Sequence, residues 1–386
     1  MHPRSKSLFD TFTDDFAQSE DSTHATQPLD GAQVVNTTSL EELGWQPWFA
    51  QDLPVDWSER FRLGRVAMVA RDRIQAFSLD GDIEARYRIS THGEAQLPAV
   101  GDWVLLSMDA ADAEIAVKRI LPRRTSFSRG AAGNVTVEQV VAANVDTVFL
   151  VESLETLNPR RLERALVAAW SSGARPVILV NKADLAGGSD APIRDAERVG
   201  HGVPVHPISA KFDADLTALI PYCRLGQTIA LIGSSGAGKS TLVNRLVGSD
   251  VARTGEVRGA DRRGRHTTTH RELIRMPHGG LIIDTPGLRE LQLWDARGGV
   301  ARAFNDVEAL AGRCRFRDCR HASDDGCAVR EAIDVGLLDP KRLASYQKLV
   351  QELTQLEARV DERARTHGRQ KPKAVHSPMR NVRSRP

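Results

Sequence analysis

Between Leu63 and Ile120 the chain alternates apolar and polar residues in short runs, RVAMVA, QAFSL, EARYRIS, WVLL and EIAVKRIL, separated by turn signals such as Asp80-Gly81 and Gly101-Asp102. A period of two broken every few residues predicts five short strands, and five such strands suggest a small barrel. In EARYRIS the residues Ala85, Tyr87 and Ile89 fall on one face and Glu84, Arg86 and Arg88 on the other, so the apolar set is expected inside and the outer face is expected to be basic. From about Asn144 the texture changes. The uninterrupted apolar runs TVFLV, PVILV, TIALI and LIID alternate with RRLERALVAAWSSG and KSTLVNRLVG, in which apolar residues recur at i, i+3 and i+4. That is the pattern of a parallel sheet covered by helices on both faces. Beyond Leu291 the pattern turns helical around a Cys/His-rich stretch. Residues 1 to about 40 show no sustained period, and disorder is expected there up to the aromatic patch Trp45, Trp48 and Phe49.

Composition narrows the class. The chain has 386 residues, 41% hydrophobic and 26% charged, which fits two or three globular units rather than a fibrous or disordered chain. No apolar run approaches the ~20 residues that cross a bilayer, and the N-terminal stretch lacks a secretory signal, so the expectation is a cytoplasmic protein with no membrane partner. The net charge of +2 does not by itself imply nucleic-acid binding, but base is concentrated late: residues 359–386 read as a basic tail in which only Asp361 and Glu362 oppose Arg and Lys. Of four cysteines, Cys223 stands alone and reads as structural, while Cys314, Cys319 and Cys327 crowd together.

The run TIALI leads into Gly233-Ser234-Ser235-Gly236-Ala237-Gly238-Lys239-Ser240-Thr241, a full match to G-x-x-x-x-G-K-[ST] between a strand and a helix. Glycines let successive backbone N–H groups point inward at phosphates, and the helix that follows adds its positive end. Lys239 would neutralise the outer phosphates, and Ser240 would offer a hydroxyl to Mg²⁺ bridging the last two.

A phosphate loop does not choose the base. After PVILV stands Asn181-Lys182-Ala183-Asp184, where Asp184 can accept two hydrogen bonds from the N–H groups of guanine, a donor pair that adenine lacks. Lys182 can lay its aliphatic stem over the base, and Asn181 can tie this loop to the phosphate loop. After the next strand, Ser209 and Ala210 could offer backbone N–H groups to the guanine carbonyl oxygen. Downstream, LIID runs into Asp284-Thr285-Pro286-Gly287, where Asp284 would hold Mg²⁺ through water and the Gly287 N–H would sense the third phosphate. The threonine-rich GRHTTTH between them fits a switch loop, with Thr268 as its Mg²⁺ ligand. The implied cofactors are GTP/GDP and Mg²⁺.

Cys314-x4-Cys319-x-His321-x5-Cys327 supplies three thiolates and an imidazole, the ligand set of a closed tetrahedral site for one structural Zn²⁺. Together these motifs resemble the RsgA (YjeQ) family of circularly permuted GTPases. The resemblance runs from Leu63 to about Leu353 and rests on the barrel-like segment, AANVDTVFLVESL, NKAD, ISAK, GSSGAGKST, GRHTTT, DTPGL and CRFRDCRHASDDGCAVREAIDVG. NKAD and SA precede the phosphate loop, whereas small GTPases ordinarily carry them after it. The resemblance implies an α/β protein: a circularly permuted P-loop GTPase domain flanked by an N-terminal OB-fold β-barrel and a C-terminal helical zinc-binding domain. It also implies GTP hydrolysis stimulated by the small (30S) ribosomal subunit in late subunit maturation, with that subunit and its rRNA as partners. The expected boundaries are a largely disordered extension with the aromatic patch at 1–58, the RNA-binding barrel at 59–128, the GTPase domain at 129–298, the zinc domain at 299–358 and a disordered basic tail at 359–386. A monomer is the natural state for such a switch.

Many GTPases orient the attacking water with Gln just after the switch glycine; here Leu288 stands there and makes no such bond. His266, in the stretch similar to the family's GRHTTT, is the candidate to take over, with Lys239 as the second catalytic group. Two rival readings are an ATP-using P-loop enzyme, disfavoured by NKAD and SA, and a nucleotide-gated RNA-binding module with little turnover.

Overall fold

The alternation in the first half becomes five antiparallel strands, β1 (Phe61–Val69), β2 (Arg73–Ser78), β3 (Gly81–Arg86), β4 (Trp103–Ser107) and β5 (Val117–Ile120). The structure is a computed structural model that describes residues 39–87, 97–107, 114–131, 134–248, 272–277, 279–284, 296–322 and 324–369. Within the barrel, strand β1 pairs with β4 along Phe61–Arg65 and with β2 along Arg65–Val69. β2 pairs with β3 and β4 with β5, and a parallel bridge from Arg86 to Ala116 closes the ring. The period of two sends Val66, Ile74, Ala76, Ile83, Ala85, Val104 and Leu106 into its interior. The outer face of β3 departs from expectation. Arg86 pairs with Glu114, and Arg73 with both Glu84 and Glu114, so this face is charge-balanced rather than basic. Arg88 and Ile89 lie outside the described residues.

The aromatic patch is a second departure. From residue 39 the chain is packed, not a disordered extension, and the patch sits on the outside of β4. Trp45 meets Trp103 edge-on at 4.8 Å, and Phe49 lies 6.0 Å from the same ring. Leu43, Phe49, Leu63, Trp103, Leu105 and Leu121 bury one another there, behind the single helical turn α1 (Trp57–Arg60). The cause lies in β4 itself: Trp103-Val104-Leu105-Leu106 is apolar on both faces, so the face turned away from the barrel interior needs its own cover. Only Trp48 of the patch remains exposed.

The second half builds the expected parallel sheet. Strands β8 (Thr147–Ser153), β9 (Arg175–Asn181), β10 (Val205–Ile208), β11 (Thr228–Gly233) and β13 (Leu281–Asp284) run parallel in the order β10-β9-β8-β11-β13, and β12 (Glu272–Arg275) adds antiparallel to β13. Alternate residues serve the two faces. Val148, Leu150, Ile178, Val180, Ala230 and Ile232 pack under α2 (Pro159–Ser172) and α3 (Ala191–Gly200), while Phe149, Val151, Val177, Leu179, Ile229 and Leu231 pack under α4 (Lys239–Val247). The pairing of Met68 with Glu272 joins β12 to β1, so barrel and parallel strands form one continuous eleven-stranded sheet. Between them lies a hairpin that the sequence reading missed, β6 (Ser126–Ala131) with β7 (Asn134–Ala143), a separate two-stranded sheet spanning the expected boundary at 128/129.

Arg65 pins these pieces together. It is buried and donates to the Leu43 carbonyl (2.9 Å), the Asn144 carbonyl (2.9 Å) and Thr228 Oγ1 (3.2 Å), so one guanidinium touches the N-terminal cover, the link that leads into β8 and the start of β11. Burial pulls its pKa down to about 10, against the opposing pull of Asp146 and Asp102, and it is still charged at neutral pH.

The C-terminal helices α5 (Arg297–Ala303), α6 (Asn305–Ala311), α7 (Ala328–Asp334) and α8 (Pro340–Arg369) share their core with the sheet through α2. Gly299 permits the closest approach: a Cβ there would stand 2.1 Å from Ser171 Oγ and 2.5 Å from the Val167 carbonyl of α2. Helix α8 runs eleven residues past 358, the expected end of the zinc domain; residues 359–369 carry four Arg, a good helix former, and no proline to stop them. Arg342 of α8 is the buried anchor: it donates to Glu163 of α2 (2.9 Å) and to both oxygens of Asp306 (3.0 and 3.1 Å), with its guanidinium 4.1 Å from the Phe304 ring. Breaking such a group strands two carboxylates, so Arg342→Ala is expected to cost about 3–5 kcal/mol, read as a lower urea midpoint at unchanged slope. A loss near zero would show that α8 is not held this way.

Candidate functional site

All five parallel strands point the same way, so their carboxyl ends meet along one edge, the usual place for a ligand in an open α/β sheet. β11 delivers the loop from Gly233 to Gly238 and then α4, β9 delivers Asn181 to Asp184, β10 delivers Ser209 and Ala210, and β13 ends at Asp284. Asn181 and Asp284, 103 positions apart in sequence, thus share one rim.

The loops are bonded to each other. Asn181 Nδ2 donates to the Ala237 carbonyl at 2.7 Å, and its Oδ1 accepts the Ala210 N–H at 2.9 Å, so one buried amide ties all three loops. The fit requires glycine at 238: its φ is +93°, and a Cβ would stand 2.1 Å from Asn181 Nδ2. Ser209 Oγ accepts the Asp184 N–H (3.0 Å) and donates to Asp184 Oδ1 (2.7 Å), which fixes the carboxylate while leaving Asp184 exposed at the rim. Lys239 Nζ spans its own loop, donating to the carbonyls of Gly233 (2.7 Å) and Ser234 (2.6 Å). Ser240 and Thr241 follow in the first turn of α4, and Gly236 takes a positive φ of 78° at the loop's exposed tip beside Ser235.

At the C-terminal unit, Cys314, Cys319, His321 and Cys327 bring their ligand atoms within 4.8 Å of one another. His321 Nδ1 lies 3.6, 3.4 and 3.5 Å from the three sulfurs, and Cys314 Sγ lies 3.9 Å from Cys327 Sγ. A tetrahedral ion with ordinary zinc bond lengths requires S···S near about 3.8 Å and S···N near about 3.6 Å. The cluster is therefore compatible with zinc bound through Nδ1.

Comparison with known proteins places the chain among GTPases. Residues 120–294 match the RsgA GTPase family. Over 340 residues the chain is 47% identical to the small ribosomal subunit biogenesis GTPase RsgA of Opitutus terrae, covering 84% of this chain and 92% of that protein. The chain belongs to the RsgA family. The RsgA of Xanthomonas euvesicatoria pv. vesicatoria is 44% identical over 351 residues, covering 88% of this chain and 94% of its own. The crystal structure of YjeQ from Thermotoga maritima superposes with a TM-score of 0.57 at 26% identity, covering 76% of this chain and 99% of that one. As an RsgA-family protein the chain is a circularly permuted GTPase. The permutation is visible in the sheet: the strands carrying NKAD and SA come first in sequence and lie on the side of the phosphate-loop strand away from β13, with β8 between.

For this RsgA GTPase the structure brings together Asn181, Lys182, Asp184, Ser209, Ala210, residues 233–241 and Asp284, while His266, Thr268, Gly287 and Leu288 lie outside the described residues. In this structure the Ala210 N–H donates to Asn181 Oδ1, and the Ser209 hydroxyl donates to Asp184 Oδ1. The sequence reading also missed Glu152 and Arg161, a largely buried carboxylate and its bidentate partner (3.0 Å from Arg161 Nε) at the end of β8. They line a cavity of about 240 Å³ against Ser234 and Ser235 of the phosphate loop. No local signal could have found the pair, because i to i+9 contacts depend on how α2 folds back on β8.

Proposed function

We propose that this chain binds the small (30S) ribosomal subunit, hydrolyses GTP in response, and acts late in that subunit's maturation in the cytoplasm, as a monomer. The observation that carries the nucleotide half is the Asn181 amide, which ties the guanine-type loop, the Ser209-Ala210 loop and the phosphate loop into one preorganised rim. The ribosomal half rests on the relatives, which are named small ribosomal subunit biogenesis GTPases. In this reading the backbone N–H groups of residues 233–241 and the Lys239 ammonium take the phosphates. Ser240, Thr268 and Asp284 serve Mg²⁺, and Asp184 reads the guanine edge. The roles of Thr268, Gly287 and His266 rest on the sequence, with His266 orienting the attacking water in place of the glutamine that Leu288 displaces.

The closed five-stranded ring supports an OB-type barrel at 59–128, and the Cys314-Cys319-His321-Cys327 geometry supports one structural Zn²⁺. Contact with rRNA moves from the charge-balanced barrel face to the Cys/His knuckle, where Arg313, Arg315, Arg317 and Arg320 are exposed around the exposed ring of Phe316. Cations of that density release counterions from a phosphate backbone, and a free ring can stack on an unpaired base.

The test is steady-state hydrolysis of GTP and of ATP by the purified protein, each with and without 30S subunits at one fixed salt concentration. Slow, GTP-only turnover that rises at least about ten-fold with subunits is expected, and Lys239→Ala should lower the stimulated rate about 10²- to 10³-fold. Equal ATP turnover would overturn the guanine assignment; indifference to subunits would overturn the ribosomal one.

A further inference from the structure

The strand order β9-β8-β11 places the end of β8 between the loop that carries Asp184 and the loop that carries Lys239. Ser153 pairs in register with Asn181, and Val151 with Gly233, so the residues just past Ser153 emerge at the middle of the rim. There the chain makes a single 3-10 turn, Leu154–Thr156, which carries the exposed Glu155 up beside Lys182. Lys182 itself is in the left-handed region, φ 63° and ψ 36°, a conformation that a long side chain adopts only when its surroundings hold it. Its Nζ lies 3.0 Å from Glu155 Oε2, and both side chains are about half in solvent, 37% and 52% exposed. The four methylenes of Lys182 therefore span the gap from the β9 loop to the β8 loop with both ends fixed.

We infer that Glu155 is a positioning residue for the nucleotide base, acting through Lys182: by anchoring the ammonium it holds the lysine stem flat as the platform on which a purine lies. This rests on the guanine reading above and extends it to a residue outside the nucleotide motifs. An untethered lysine has the most side-chain freedom to lose when a ligand settles on it. A tether that removes that freedom before binding raises affinity without adding a contact to the ligand. A platform beneath the ring serves any purine, whereas Asp184 serves only one with guanine's pair of donors.

The sign of the effect separates positioning from bystander charge. Glu155 is an anion beside the site of an anionic nucleotide, so deleting its charge would by itself tighten binding. The platform role requires the opposite.

The experiment is calorimetric titration of the full-length protein with GDP, IDP and ADP, for the wild type, Glu155→Gln, Lys182→Gln and the double variant. Glu155→Gln is expected to weaken GDP and IDP by the same factor, about three- to five-fold, the scale of an exposed ion pair. The weakening should vanish in the Lys182→Gln background and shrink as salt is raised. Unchanged or tightened GDP binding in Glu155→Gln would overturn the inference, as would a loss that persists at full size without Lys182. A wild type that binds ADP as well as GDP would instead overturn the guanine reading and this inference with it. Guanine selectivity with an inert Glu155 would overturn this inference alone.

Discussion

Removal of metal, by a strong chelator or by Cys319→Ser, is expected to unfold the knuckle formed by residues 312–327. Little else holds it. Arg313, Arg315, Phe316, Arg317, Asp318 and Arg320 are exposed, and among the four ligands only Cys327 is buried. Regular structure stops at Ala311 and resumes at Ala328. Such a segment cannot offset its own chain entropy by burial, whereas structural zinc contributes on the order of 10 kcal/mol or more at neutral pH in small zinc-binding peptides. Because the thiols must lose protons to bind, metal should also be released as pH falls. The measurement is native mass spectrometry for one zinc per chain, followed by limited proteolysis before and after chelation. Cleavage should appear within 312–327, while GDP binding at the strand edge persists. A chain that carries no stoichiometric zinc and resists protease equally with and without chelator would sink the zinc reading.

Asp184→Asn is expected to exchange guanine for xanthine as the preferred base. A carboxylate accepts from both the ring N–H and the exocyclic amino group of guanine. An amide presents one acceptor and one donor, which matches the N–H and carbonyl on xanthine's corresponding edge. The Ser209 hydroxyl, 2.7 Å from Asp184 Oδ1, holds the side chain at that edge and can do the same for an amide. A site whose buried or oriented polar groups are left unpaired rejects the wrong ligand by several orders of magnitude. GDP affinity should therefore fall about 10²- to 10³-fold while XDP affinity rises, with no change in folding stability because Asp184 is exposed. Competition of GDP and XDP for a fluorescent nucleotide would measure both. A variant that lost GDP without gaining XDP would mean that Asp184 shapes the loop rather than reading the base.

Much of this protein was legible in the chain. The phosphate loop, NKAD and the Cys/His set are clusters of neighbours in sequence, because a cradle of successive N–H groups or a four-ligand knuckle is made by a short stretch of backbone. The permuted order was legible too, since each motif follows an apolar run long and regular enough to be read as a strand. The five barrel strands followed from alternation, and the two-sided apolar pattern of TVFLV correctly required cover on both faces.

Where the reading failed, it failed on partners. Arg86 and Arg73 look like a basic face until Glu114, distant in sequence, folds beside them. Trp45 and Phe49 look like a patch on a largely disordered extension until the outer face of β4 claims them. The β6–β7 hairpin was passed over, and α8 was cut short at 358 although nothing in its composition ends it there. The sequence alone determined which residues each motif supplies and the type of layer that carries it, because both are set within a few residues by spacing and period. Only the tertiary structure decided that Arg65 meets Thr228, that Arg342 meets Glu163 and that Glu155 meets Lys182. Those pairings depend on which elements pack together and in what register, and a charged side chain looks the same in sequence whether its partner is water or a carboxylate more than a hundred residues away.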